Sequence, residues 1–226
     1  MTLAKFREKS PPLENGDRLS RSEFERRYTT MPHIKKAELI ERIVYIASPV
    51  RIFSHGNPHS LIITWLGVYR ASTPKVDVAD NATVRLDMDN EPQPDAIMWI
   101  DETVGGQSRI SDDGYLEGAP ELIVEVAASS ASYDLGDKLN VYRRNQVREY
   151  IVWEVYENKL NWFRWTDGEY VAIQPDESGI IRSTVFPGLW LAVPALLAVD
   201  FALVLAVVQE GLKTPEHTDF VARLTQ

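Results

Sequence analysis

LIVEVAA, residues 122–128, is the most apolar strand-like run in the chain, and both of its alternating faces are apolar except at Glu125. A run of this length with no polar alternation reads as a strand covered on two sides. It therefore points to a sheet with helices packed on it, not to a sheet with one face in water. An isolated carboxylate at the centre of such a strand suffers a desolvation penalty or stays protonated. A cation, a paired Lys or Arg, or a sheet edge that admits water would each offset that cost, and the strand by itself leaves the three open.

After this strand, residues 132–146 turn helical, with Leu135, Leu139 and Tyr142 on one stripe. Lys138 flanks that stripe, three positions after Leu135 and four before Tyr142. From there its long side chain can reach past the sheet toward Glu125, or it can pair locally with Asp134 at i,i+4. EYIVWEV (149–155), KLNWFRW (159–165) and EYVAIQ (169–174) read as a strand meander.

Before the strand, VDVAD (76–80), ATVRLDMD (82–89) and PDAIMWI (94–100) read as short strands. His59 to Ser72 has helical spacing at 61, 62, 65, 66 and 69, with a start near Pro58. AELIERIVYIASPV (37–50) reads as a strand or hairpin. Ser20-Arg-Ser-Glu23 has capping-box spacing for a short helix ending before Pro32. Residues 1–18, broken by Pro11, Pro12 and Gly16, read as a flexible tail, which leaves 19–226 as one domain. Helices alternating with strands give a mixed α/β class built on one sheet.

Two long-range features bound the function. The segment from Leu189 to Val208 is nearly all apolar and about the length of a membrane span. Pro194 and Asp200 interrupt it and no basic flank precedes it, so the expectation is a short strand followed by a buried helix from near Pro194, with no membrane partner. The net charge of −9 weighs against sequence-independent nucleic-acid binding while allowing a local basic face. The absence of cysteine excludes disulfides and thiolate chemistry, and with no apolar signal region at the N-terminus a cytoplasmic location is expected.

Asp95 follows Pro94 and enters the PDAIMWI strand; alone it reads as a strand-entry residue. Paired with Glu125 from a neighbouring strand, it supplies hard oxygen donors suited to Mg²⁺. Glu38 is a weaker candidate, read first as a solvated carboxylate. His55 and His59 stand four apart, but Gly56 and Pro58 argue against a continuous helix through them, so no zinc pair is expected. Tyr150, Trp153, Trp162 and Trp165 read as core, and Arg143, Arg144 and Arg148 as complements to a helix end. No phosphate loop, dinucleotide fingerprint or nucleophile elbow is present.

Taken in order, AELIERIVYIASPV, HGNPHSLIITWLGVY, QPDAIMWI, LIVEVAASSASYDLGDKLNVYRRNQVREYIVW and VFPGLWLAVPALLAVD with VVQEGL resemble the Uma-two (Uma2) endonucleases from about Leu19 to Leu224. The resemblance implies a restriction-endonuclease-like PD-(D/E)XK core, a mixed sheet flanked by helices, and cleavage of DNA phosphodiester bonds with Mg²⁺, or Mn²⁺ in its place. By position, Asp95 matches the PD aspartate and Glu125 the acidic residue of the (D/E)XK element, which makes them the metal ligands. The lysine usual two residues on is replaced by Ala127, and the resemblance assigns its role to Lys138. Glu38 matches the early glutamate of the E-L-I pattern, and Glu41-Arg42 stand where that pattern usually has glycine. The rival expectation is a catalytically inactive nuclease fold kept as a binding or scaffolding module; a homodimer is expected under either.

Overall fold

The structure, a computed structural model, describes residues 11–47 and 51–226. Helix α1 (Arg21–Tyr28) is capped by Ser20, whose side chain accepts from the Glu23 amide, as the Ser-x-x-Glu spacing signals. Strands β1 (Ala37–Ile40) and β2 (Ile43–Ile46) form a hairpin. A π-helical turn, Ile52–Gly56, runs directly into α2 (Asn57–Ala71). Strands β3 (Val76–Asp80), β4 (Ala96–Ile100) and β5 (Leu122–Ala127) follow. A single turn Ala131–Tyr133, a second π-helical turn Asp134–Lys138 and helix α3 (Leu139–Arg144) then run end to end. The meander is β6 (Glu149–Glu154), β7 (Lys159–Thr166) and β8 (Glu169–Ala172). Helices α4 (Val193–Leu197), α5 (Phe201–Gly211) and α6 (Pro215–Leu224) complete the described chain.

Strands β3 to β8 lie side by side in sequence order in one six-stranded sheet. Every neighbouring pair is antiparallel except β5 and β6, which the helical crossover makes parallel. This is the mixed α/β sheet flanked by helices that the sequence predicts. Every residue of β5 is buried, and its two faces enter different cores. Val124 and Val126 pack with Trp65, Leu66 and Tyr69 of α2 and with Val204 of α5. Ile123 and Ala127 pack with Val141 and Tyr142 of α3. Cover on both faces is why LIVEVAA carries no polar alternation.

The structure differs from the sequence reading in three places. Residues 11–18 are not loose: Leu13 is buried, the Gly16 amide donates to the Val44 carbonyl at 2.8 Å, and Arg18 bridges Ile43. The outer edge of β2 would otherwise expose unpaired backbone groups, and this segment takes them. The packed chain thus begins before Leu19, while the first ten positions of the expected tail lie outside the described residues, as do positions 48–50 of the expected hairpin. The apolar run does not form one helix from Pro194. Val199 adopts φ 59° and Asp200 caps α5 through the Leu203 amide, so the run becomes the strand Trp190–Ala192 and two helices. Among the described residues no helix is long and apolar enough to cross a membrane. Finally, of the stretch 82–89 only Val84–Arg85 pairs as a strand, with Leu116–Glu117.

The β1–β2 turn holds two non-glycine residues in left-handed backbone, Glu41 at φ 52° and Arg42 at φ 64°. Two such residues in a two-residue hairpin loop make the turn that matches strand twist and that usually ends in glycine. Arg42→Gly is therefore expected to raise the unfolding free energy by about 1 kcal/mol. Urea unfolding would show a higher midpoint at unchanged slope. A lower midpoint would mean that the Arg42 guanidinium, 3.7 Å from Asp89, matters more than the backbone.

Candidate active site

In the β4–β5 pair Ala96 lies opposite Val124. One step further along this register Asp95 falls opposite Glu125, on the face that carries Ile97, Ile123 and Ala127. Pro94 brings the chain into β4 already extended, so the strand-entry residue of the sequence is a buried carboxylate, 3% exposed. Its Oδ2 accepts from the Val126 amide at 2.8 Å. Its Oδ1 accepts from Lys36 Nζ at 3.1 Å and lies 3.5 Å from His55 Nε2.

Glu125 is 2% exposed. Its Oε1 accepts from both Lys138 Nζ and the Tyr142 hydroxyl, each at 2.9 Å, and among the described residues Oε2 accepts from none. The Lys138 ammonium is buried as well, 2.9 Å from Glu38 Oε1 and 3.6 Å from Asp134 Oδ1. Glu38 is fixed in turn by the Gln93 amide at 2.8 Å. A cavity of about 680 Å³ opens onto this cluster, lined among others by Lys36, Glu38, His55, Asp95, Glu125 and Lys138.

The electrostatics follow from burial. Desolvation raises the Glu125 carboxyl to about 8; Lys138 opposes the rise, and Asp134, Asp95 and Glu38 add to it. Burial alone would lower Lys138, but Glu125, Glu38 and Asp134 hold it well above the usual lysine range. For Asp95 burial pushes upward, yet the hydrogen bond from His55 and the charge of Lys36 prevail and keep it well below the usual range. Around the cavity the carboxyl groups of Glu38, Asp95, Glu125 and Asp134 face the ammonium groups of Lys36 and Lys138 and the guanidinium of Arg51. A divalent cation there would favour the ionised form of Glu125, whose Oε2, accepting from none of the described residues, is a hard donor for it. Among the described residues no three acidic or histidine side chains already converge as a preformed cluster, so waters would have to complete the shell. The donor set fits an ion of this kind.

All four sequence-predicted residues, Glu38, Asp95, Glu125 and Lys138, are brought together. Glu38 is buried, not solvated, and Lys138 reaches both Glu125 and its i,i+4 neighbour Asp134. Sequence reasoning did not place Lys36, His55 or Tyr142 in the site and named Asp134 only as a local partner of Lys138. The histidine spacing was a signal for His55, but Gly56 and Pro58 hid it. The helix does run through them: Pro58 is the second residue of α2, where its missing N–H breaks no bond, and Gly56 closes the π-helical turn. The His55 and His59 rings stack with centroids 5.7 Å apart, and His59 Nε2 lies 2.7 Å from the Asp95 carbonyl. Tyr150, Trp153 and Trp162 are core, as expected. Arg143, Arg144 and Arg148 are engaged by the Gly168 carbonyl, Glu41 and Gln107.

The sequence model of the Uma2 family, described as "putative restriction endonuclease", matches residues 21–194. No curated protein matches. Among solved structures, "a putative nuclease belonging to DUF820" from Anabaena variabilis ATCC 29413 has a TM-score of 0.60. It covers 76% of this chain and 96% of its own at 13% identity, a likeness of fold. Since the family match runs from α1 into α4, well over half of the chain, and takes in the whole Asp95–Glu125 cluster, this chain belongs to the Uma2 family.

Proposed function

We propose that the protein is a metal-dependent endonuclease that hydrolyses DNA phosphodiester bonds, with Asp95 and Glu125 as ligands for Mg²⁺, or Mn²⁺ in its place. The observation that carries this reading is the pair of buried carboxyl groups, opposite each other on adjacent strands, at the wall of a cavity lined by four acidic side chains. A divalent ion held there would supply Lewis acidity to a phosphoryl oxygen and lower the pKa of a water. The chain's own groups do the rest. The Val126 amide orients the Asp95 carboxylate. Lys138, gripped by Glu38 and Asp134, holds Glu125 through Oε1 and leaves Oε2 to the ion. At the cavity wall the Lys138 ammonium can donate to an attacking water or to a charged phosphate oxygen, and Glu38 beside it can take a proton. Membership in the Uma2 family supports the same reading.

A non-catalytic binding or scaffolding role is favoured by one observation. Lys36 on Asp95 and Lys138 on Glu125 pair with both carboxyl groups. The two readings separate on supercoiled plasmid and single-stranded DNA. The expected result is nicking or cutting with Mg²⁺ or Mn²⁺ and none with a chelator. No cleavage of either DNA form under any divalent ion, by protein of verified fold, would decide for the scaffold.

A further inference from the structure

We propose that His55 is a ligand, through Nε2, of the divalent ion at the Asp95–Glu125 site, and that this nitrogen makes the site prefer first-row transition ions over Mg²⁺. The inference rests on the metal-site reading above and adds a donor and an ion class to it.

His55 Nδ1 lies 2.9 Å from the Val126 carbonyl. A carbonyl only accepts, so Nδ1 carries a hydrogen, and a hydrogen that Nε2 shares with Asp95 is the one an ion would displace to take the Nε2 lone pair. That atom is 3.5 Å from Asp95 Oδ1. Two donors bound at about 2.0–2.2 Å to one ion stand roughly 3.0–3.5 Å apart at octahedral to tetrahedral angles. A ring nitrogen backed by a main-chain carbonyl is the usual arrangement of a ligating histidine. Here one residue sets both donors: the Val126 amide holds Asp95 and its carbonyl holds His55.

The backbone around His55 supports the same assignment. His55 sits in one of the two π-helical turns that flank the cavity, and the other carries Lys138. Such turns are frequent at functional sites. His59, one turn on, is already engaged by the Asp95 main chain and lies 3.1 Å from Asp80, so of the two only His55 presents a ring nitrogen to the Asp95 carboxylate. An all-oxygen site suits Mg²⁺, and an imidazole in the shell shifts preference toward transition ions.

The experiment uses the untagged full chain loaded with Mn²⁺, read by calorimetry and by electron spin-echo modulation, which detects ¹⁴N bound to the ion. Imidazole modulation is expected in the wild type and in His59→Gln, and its loss in His55→Gln. The latter's Mn²⁺ affinity should fall by ~10–100-fold while its Mg²⁺ affinity changes little. If His55→Gln fails to fold, His59→Gln carries the test: modulation that persists there supports His55, and modulation lost there overturns it. Bound Mn²⁺ without nitrogen modulation overturns the His55 assignment and leaves the nuclease reading standing, as does modulation lost with His59 instead. No uptake of Mn²⁺ overturns both.

Discussion

Lys138→Met is expected to lower the unfolding free energy by about 3–5 kcal/mol, the cost of stripping one partner from a buried ionic cluster. The ammonium is 3% exposed and faces Glu125, Glu38 and Asp134 together. Its removal leaves three carboxylates inside the fold with Tyr142, Gln93 and Ser130 as their remaining hydrogen-bond donors. Glu125 is already raised with Lys138 opposing the rise, so without that charge the ionised form becomes costlier still. Methionine fills a similar volume, which keeps a cavity from being the cause. Adding Glu125→Gln to the variant should recover part of the loss, because a neutral amide no longer needs a cation; that non-additivity separates charge from packing. Equilibrium urea unfolding of the two single variants and the double variant measures it. A loss below about 1 kcal/mol for Lys138→Met would show the cluster to be solvated, as surface pairs are.

The strand LIVEVAA made the sheet legible because two-sided burial removes polar alternation, a purely local signature. The register that sets Asp95 opposite Glu125 was not legible, since strand pairing is a long-range choice that no single strand records. Glu149 shows the limit of the local clue. It too is a carboxylate in an apolar strand, fully buried, and the sequence reading passed over it. Its oxygens accept from Trp162 Nε1 on the neighbouring strand and from Ser183, Thr184 and the Val185 amide in a turn more than thirty residues away. An acid in a greasy strand therefore signals that some donor set exists, not which one. Lys138 was recoverable because one helical crossover limits where its side chain can reach. Lys36 was not, because its pairing with Asp95 spans 59 positions and depends on how the β1–β2 hairpin docks on the sheet.

The contrast between these two acids sets the second large effect. Asp95→Asn should reduce DNA cleavage by at least ~10³-fold, since a site that loses several kcal/mol of charge stabilisation loses a decade for each 1.36 kcal/mol. The amide oxygen can still accept from the Val126 N–H, so the strand register and the fold should survive. What disappears is the charge that Lys36 and His55 hold and that an ion would share. Glu149→Gln, on β6 beside β5, should behave the opposite way. An amide NH₂ placed against Ser183 or Trp162 turns accepted bonds into repulsions, so stability falls while single-turnover cleavage per folded molecule stays at the wild-type rate. Two buried carboxylates in one sheet thus predict opposite readouts, one catalytic and one thermodynamic. Should Asp95→Asn cut as fast as Glu149→Gln, burial at the cavity wall confers no chemistry, and the paired lysines become the final partners of the acids rather than placeholders for an ion.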